Sequence, residues 1–383
     1  MRQILSYAFV MMIGWKAFSQ QDTIKKKKLR FTTEKDSTLD FTGTRIVDKN
    51  AESDESKIVI GGYVSTYYAH YSDETETNGF VQFPTMAARN DQFGLNMAQI
   101  TMEYTGKKIR SNVTLHYGDI PASSWPAQFN LIQEAHAGVK LLKKVWLDAG
   151  FFKTHIGIES IQPRENITSS MAVLTYYEPY YLSGAKLTWE VNKKLSLQVN
   201  VFNGYNEYIE DNKNKALGFS MLYDVNDHIS ITYNFMNCDE TLDNEKIRKP
   251  RYYNDLYATF RYNKFSLGIE MNYGLQAHSV LKDSTKQASM YSGLLVAKYQ
   301  FIKKMFVYGR GEYFSDPNQI LTGNLHIGNY IYGGTFGLEY KPYKNVGLSC
   351  EGRLLQADNL IFKQQGCYTN QRYEIIGCLD LWF

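Results

Sequence analysis

The stretch Gln371 to Phe383, QRYEIIGCLDLWF, runs to the last residue of the sequence. Read at a period of two, Tyr373, Ile375, Gly377, Leu379, Leu381 and Phe383 share one side, whereas Arg372, Glu374, Cys378 and Asp380 lie mostly on the other. One side is oily and the other carries charge. A solvated strand of a soluble sheet rarely ends on a free aromatic carboxy-terminus, whereas the last strand of a bacterial outer-membrane barrel habitually does. There it pairs with the first strand and removes the open edge. Tyr373, Leu379, Leu381 and Phe383 resemble the signal by which such barrels are handed to the barrel assembly machinery.

The bulk numbers leave this reading standing. A net charge of +3 over 383 residues with 44% hydrophobic content suggests neither disorder nor nucleic-acid binding. The 30 Tyr and 21 Phe, against 8 Pro, suit strands and a membrane–water interface. Mean hydropathy is negative, and the sequence has no apolar run of about 18 residues, so a helical membrane protein is excluded. A barrel wall escapes that test because only alternate residues face lipid.

At the amino-terminus, Met1-Arg2, the apolar run Ile4 to Ile13 and the small residues around Ala17-Phe18-Ser19 read as a Sec export signal over 1–20. Residues 21–57 are charged and lack apolar periodicity, which predicts a flexible periplasmic lead-in. About 35 residues are too few for the plug of an active-transport barrel.

From Ile58 to Phe383, sixteen strand-like segments follow: 58–70, 93–105, 109–119, 130–142, 145–154, 180–192, 195–204, 214–225, 228–238, 251–262, 265–276, 287–301, 304–314, 329–341, 345–356 and 371–383. Short joints such as Lys143-Lys144, Asn263-Lys264 and Pro342-Tyr343-Lys344-Asn345 alternate with long ones such as 71–92, 155–179 and 357–370. This alternation is the most specific signal in the chain. It predicts an all-β, transmembrane, up-and-down antiparallel β-barrel of about sixteen strands, with short periplasmic turns and long external loops. A Greek-key sandwich has no reason to keep it.

The faces agree. Leu195, Leu197, Val199 and Val201, then Phe265, Leu267, Ile269, Met271 and Tyr273, then Tyr332, Phe336, Leu338 and Tyr340, are expected to face lipid. Between them run Ser196, Gln198, Asn200, Ser266, Glu270, Asn272, Thr335 and Glu339, which predict a water-holding interior. Tyr67-Tyr68, Tyr176-Tyr177, Tyr180-Tyr181, Trp189, Tyr252-Tyr253 and Trp382 read as interfacial girdles.

The longest connection, Thr154 to Pro179, is the third external loop, which in sixteen-stranded general porins folds inward to make the narrowest ring. Its Glu159, Arg164, Glu165 and Glu178 are candidate constriction residues. Facing them, the lumen wall offers Lys140, Lys186, Arg261, Lys298, Arg310, Arg353 and Arg372, together with Glu134, Asp148, Glu270, Glu312, Glu351, Glu103, Glu190, Glu339, Glu374 and Asp380. Mixed signs predict weak selectivity.

No metal motif, phosphate loop or nucleophile elbow is present, and His116 with Asp119 or His136 near Glu134 lacks the spacing of a catalytic set. The expectation is a non-enzyme with no cofactor. Cys350 is read as pointing out and Cys378 in, while a loop bridge between Cys238 and Cys367 stays open.

The stretches GGYVSTYYAHY, FGLNMAQITMEYTGK, VTLHYGDIP, IQEAHAGVKLLKKVWLDAGFFKTHIGIES and YYLSGAKLTWE resemble the OmpL-like beta-barrel porins of Bacteroidota over most of 58–383. The resemblance implies passive passage of small solutes across the outer membrane of a Gram-negative cell. The expected partners are outer-membrane lipids, the assembly machinery and small polar solutes, with a homotrimer by analogy to other sixteen-stranded porins. A substrate-specific channel for short sugars, or a structural surface barrel with a blocked lumen, are the alternatives.

Overall fold

The computed structural model describes residues 56–383 apart from 76–78, 82, 211 and 324. The expected export signal, and all but the end of the expected lead-in, lie outside the described residues.

The chain forms β1 (Lys57–Tyr71), β2 (Gln92–Thr105), β3 (Ile109–Tyr117), a short α1 (Asp119–Ser124), β4 (Ile132–Leu142), β5 (Val145–Lys153), β6 (Tyr181–Glu190), β7 (Leu195–Phe202), β8 (Ala216–Asp224) and β9 (Ile229–Cys238). It continues through β10 (Arg251–Tyr262), β11 (Phe265–Gln276), β12 (Ala288–Ile302), β13 (Met305–Ser315), β14 (Ile331–Tyr343), β15 (Val346–Ala357), the small hairpin β16 (Phe362–Gln364) and β17 (Cys367–Thr369), and β18 (Gln371–Trp382). Neighbours in sequence pair antiparallel, and β18 pairs with both β15 and β1. The sheet is therefore a closed sixteen-stranded ring, and β16–β17 stand apart in the last long connection. The carboxy-terminal residue completes the seam: Phe383 and Gly62 exchange backbone hydrogen bonds at 3.0 and 3.1 Å.

Turn chemistry at the short joints explains why the strands reverse where they do. Lys144, Asn263 and Lys304 adopt the positive φ that a tight hairpin requires. Asn192 and Asn226 each turn a side-chain oxygen onto the amides two and three residues ahead, fixing the turns before β7 and β9.

The expected faces are present. Val199, Ile269, Met271, Phe336 and Leu338 are exposed on the outside, whereas Asn200, Ser266, Glu270 and Thr335 are buried on the inside. Exposed apolar rows of this kind fit acyl chains and would be costly in water. Cys350, paired across the ladder with Gly377, is exposed, and Cys378, paired with Ser349, is buried; Cys238 is buried and Cys367 exposed, and all four thiols are free.

Two expectations need correction. Only some of the girdle aromatics face outward: Tyr68, Tyr252 and Trp189 do, but Tyr67, Tyr253 and Tyr181 are buried in the lumen. Adjacent tyrosines on a strand necessarily point to opposite faces. The interior is also not polar throughout. Inward residues near the long-loop ends of the strands, including Phe152, Leu182, Phe202, Met236, Met290, Phe314 and Leu355, pack with Phe83, Ile156, Val173, Leu174, Ile320, Ile327 and Phe362 from the loops. An apolar layer thus lies beneath the external loops.

Candidate channel interior

After β5 the chain turns into the barrel, and residues 154–180 cross the lumen as an inner loop. Such a segment has no sheet partner for its amides, and the wall supplies acceptors. Asp255 of β10 accepts from Gly157 at 2.8 Å and Glu270 of β11 from Ile158 at 2.9 Å. Glu351 of β15 takes Ser169 and Ser170 at 2.7 and 2.9 Å, and Glu312 of β13 takes Val173 at 2.6 Å. Carboxylate acceptors make these bonds strong. Apolar contacts add to them: Ile158, Ile167 and Ala172 pack on Leu294 and Val296 of β12 and Tyr308 of β13.

A chain of ion pairs backs this docking. Glu159 of the inner loop stands 3.0 Å from Arg310, which is 3.4 Å from Glu312. Arg353 binds Glu312 through two 3.0 Å hydrogen bonds and reaches Glu374 at 3.4 Å. Glu374 in turn pairs with Arg372, which also binds Asp73 of the β1–β2 loop at 2.6 Å. None of these side chains is more than 5% exposed, so the chain braces loop against wall. Burial raises the Asp73 carboxyl above its usual range, although Arg372 opposes the shift.

Two of the wall's ion pairs cross an intervening strand. Arg353 on β15 and Glu312 on β13 are separated by β14, whose residue opposite Glu312 is Gly333. Likewise Arg110 of β3 reaches Asp148 of β5 across Gly138 of β4, which is paired with both. A Cβ at Gly138 would occupy the space of the Asp148 carboxylate and lie 3.1 Å from the Arg110 side chain.

Between the inner loop and the strands β6 to β10 lies a cavity of about 120 Å³. Arg110, Lys153, Lys186, Thr188, Ser196, Gln198, Ser220, Thr232 and Tyr257 line it from the wall, and His155, Glu159 and Glu178 from the loop. The His155 imidazole is pushed down to about 4 by burial and is neutral. Glu178 accepts the Tyr253 hydroxyl at 2.7 Å. Its carboxyl is pushed up to about 8, first by burial and then by the neighbouring charges of Asp255 and Glu159.

Residues 57–378 match the model of the family described as "Putative beta-barrel porin-2, OmpL-like". The chain belongs to this OmpL-like porin family. No curated protein matches it. Among solved structures it is similar to an anion-selective porin from Comamonas acidovorans, with 10% identity and a TM-score of 0.58 over 86% of this chain and 100% of that one. It is similar to the outer membrane channel DcaP of Acinetobacter baumannii, with 10% identity and a TM-score of 0.59 over 86% and 97%. Salmonella typhi OmpF, solved with daunomycin, gives 15% identity and a TM-score of 0.55 over 86% and 98%. At these identities the structures share the fold. Family and fold together make the OmpL-like chain an outer-membrane channel, not an enzyme.

Within this porin the expected loop residues are dispersed. Glu159 joins Arg310 directly, Glu165 lies 3.8 Å from Lys153, and Glu178 sits in the cavity wall. Arg164 lies over the rings of Tyr63 and Trp382 at 5.3 and 6.0 Å. On the wall, Glu134 accepts the Lys153 amide, Asp148 binds Arg110, Lys298 pairs with Glu339 at 2.6 Å, and Lys140 lies 5.4 Å over the ring of Trp146. Arg261 is half-buried near the short-turn end of β10. His116 bonds Gln133, and Asp119 bonds Tyr67 and Arg89, so the two are not paired with each other. Asp73, Asp255, Tyr253, Arg110 and Lys153 were not among the expected site residues. Asp255 and Arg110 share the inward alternation of their strands, which is the one signal for them, whereas Lys153 is out of step with the inward Asp148 and Phe152 of β5.

Proposed function

We propose that this outer-membrane channel passes small hydrophilic solutes passively and that the inner loop, 154–180, narrows its bore. The observation that carries the reading is the set of loop amides bound by inward carboxylates on β10, β11, β13 and β15, beside a polar-lined cavity on the β6–β10 side. The space left between the loop and β6 to β10 is then the passage, and the side chains lining it set size and charge limits without energy input. Trp125, Tyr181 and Tyr208 pack on one another and on Phe151, each at most 5% exposed, so they offer no free ring face for a sugar. The general channel is therefore preferred to the sugar-specific one.

Further parts of the proposal concern the chain's route and assembly. Residues 1–20 direct export, 21–57 form a periplasmic lead-in, and Tyr373, Leu379, Leu381 and Phe383 present the seam strand to the assembly machinery. A homotrimer is proposed from the trimer form of Vibrio cholerae OmpT, which has the same fold. Refolded protein in planar bilayers tests the central claim. Steady ohmic steps are expected, and a heat-modifiable, folded protein that stays electrically silent would leave a structural barrel instead.

A further inference from the structure

The polar cavity beside the inner loop ends on the apolar layer. Thr188, Gln198 and Ser220 are register partners in turn on β6, β7 and β8, and all three line the cavity. Four residues farther toward the long loops, the same strands carry Gly184, Phe202 and Ala216 in register. Phe202 and Ala216 belong to an inward apolar ring that includes Phe152 and Leu182 before them and Met236, Met290, Phe314 and Leu355 after them. Each of these is at most 2% exposed, so no water lies against the ring. Ile156 of the inner loop lines the cavity and packs in the ring as well, which places the two directly end to end.

The middle of the ring is filled from the loops. Phe83 and Phe362, from the first and last long connections, meet edge to face with centroids 5.2 Å apart, and Tyr177 of the inner loop stacks on Phe314 at 5.8 Å. Ile320 and Ile327, from the connection before β14, complete the filling. That connection is built differently from the inner loop. Asp316 takes the amides of Ile320, Leu321 and Thr322 at 2.9, 2.8 and 2.9 Å, and the carbonyls of Gln319 and Thr322 take those of Gly323 and Leu325. Wall carboxylates hold the inner loop, whereas this loop satisfies its own amides and can leave the ring with those bonds intact. Arg251 donates to its Ile320 carbonyl, and the Asn359 amide to its Ile327 carbonyl at 3.3 Å, bonds that water can replace at little net cost.

We infer that the apolar layer is a gate at the outer end of the passage, and that solutes cross it when the loop carrying Ile320 and Ile327 lifts from the ring. This inference rests on the channel reading above. A hydrated ion cannot enter a dry apolar layer without losing its water, so the layer is a barrier to ions while it is packed. Lifting the loop removes apolar side chains from the centre and lets water reach the polar row of Thr188, Gln198 and Ser220. The apolar surface buried by Ile320 and Ile327 opposes that step and holds the gate shut most of the time.

The test is single-channel recording of the refolded full-length chain in a planar bilayer with potassium chloride on both sides. Wild type is expected to be shut for most of the record, with each opening an ohmic step of constant height. Ile320→Ser and Ile327→Ser are each expected to raise the open fraction about tenfold and to leave the step height unchanged, because the bore beneath the gate is the same. Ile320→Val is expected to stay within about twofold of wild type. Heat-modifiable migration identifies the variants that have folded. A conducting wild type whose open fraction is unchanged in both folded serine variants overturns the gate and leaves the channel intact. If neither serine variant folds, a wild type that stays open throughout the record overturns the gate by itself. Silence from the folded wild type and from both folded serine variants removes the channel reading.

Discussion

Arg310 grips Ser170 twice, donating from its guanidinium to the Ser170 carbonyl oxygen at 2.6 Å and to its hydroxyl at 3.0 Å. One side chain on β13 thereby ties the inner loop to the wall, while Glu159 and Glu312 balance its charge.

Arg310→Met keeps the aliphatic bulk but leaves Glu159 buried without its cation. Breaking a buried pair in this way costs about 3–5 kcal/mol. The refolded barrel is expected to unfold at lower urea, and its single-channel conductance is expected to rise as the loop leaves the wall. Unchanged conductance in the folded variant would mean that Arg310 does not hold the loop in place.

The Glu178 carboxyl predicts a pH response. Its folded value of about 8 lies above the ordinary 4.5, so its contribution to the docked loop is complete below pH 4.5 and is lost as pH rises through about 8. Asp255, Glu270 and Glu159 lie around it and Tyr253 donates to it, so ionisation adds a negative charge where acids already crowd. Conductance recorded from about pH 6 to about pH 10 should become noisier or larger above 8. In Glu178→Gln that change should be absent.

Gly138→Ala should break a charged pair without touching either partner. The new methyl claims the place of the Asp148 carboxylate, which is fully buried and bound to Arg110. A cost of about 1–3 kcal/mol is expected, read as a lower midpoint in urea-dependent refolding into vesicles. Wild-type stability in this variant would show that β4 has room to yield.

Thiol labelling checks which loops face outward. Cys367 is exposed in the β16–β17 hairpin, within a long connection, whereas Cys350 is exposed on the lipid-facing side of β15. A membrane-impermeant maleimide added to intact cells should label Cys367 and spare Cys350, Cys238 and Cys378. Labelling only after the periplasm is opened would reverse the assigned orientation.

Much of the barrel is legible in the sequence because its rules are local. Alternation at period two assigns Val199 outward and Asn200 inward, and Asn192 or Asn263 marks a reversal from its own turn chemistry. The same parity correctly sets Arg310, Glu312, Glu351 and Arg353 inside. Which of them meet is another matter. Arg353 finds Glu312 across β14, where Arg353 pairs with Thr335 and Glu312 with Gly333, a fact of register across three strands. The capture of Ser169 and Ser170 by Glu351 joins residues 180 or more positions apart, and no spacing rule encodes it. Runs of adjacent tyrosines misled for a simple reason: ring chemistry says where such residues are content, whereas face is set by parity, which sent Tyr67 and Tyr253 inward.

The ion pairs that cross β4 and β14 have a mechanical consequence. Backbone ladders join each strand only to its immediate neighbours and so resist separation of adjacent strands more than flattening of the whole ring. Arg110 with Asp148, and Arg353 with Glu312, lash together strands two places apart on the inner surface. Such lashings act like hoops on a cask, holding the cross-section round under lateral membrane pressure while the lipid-facing surface carries no charge at those points.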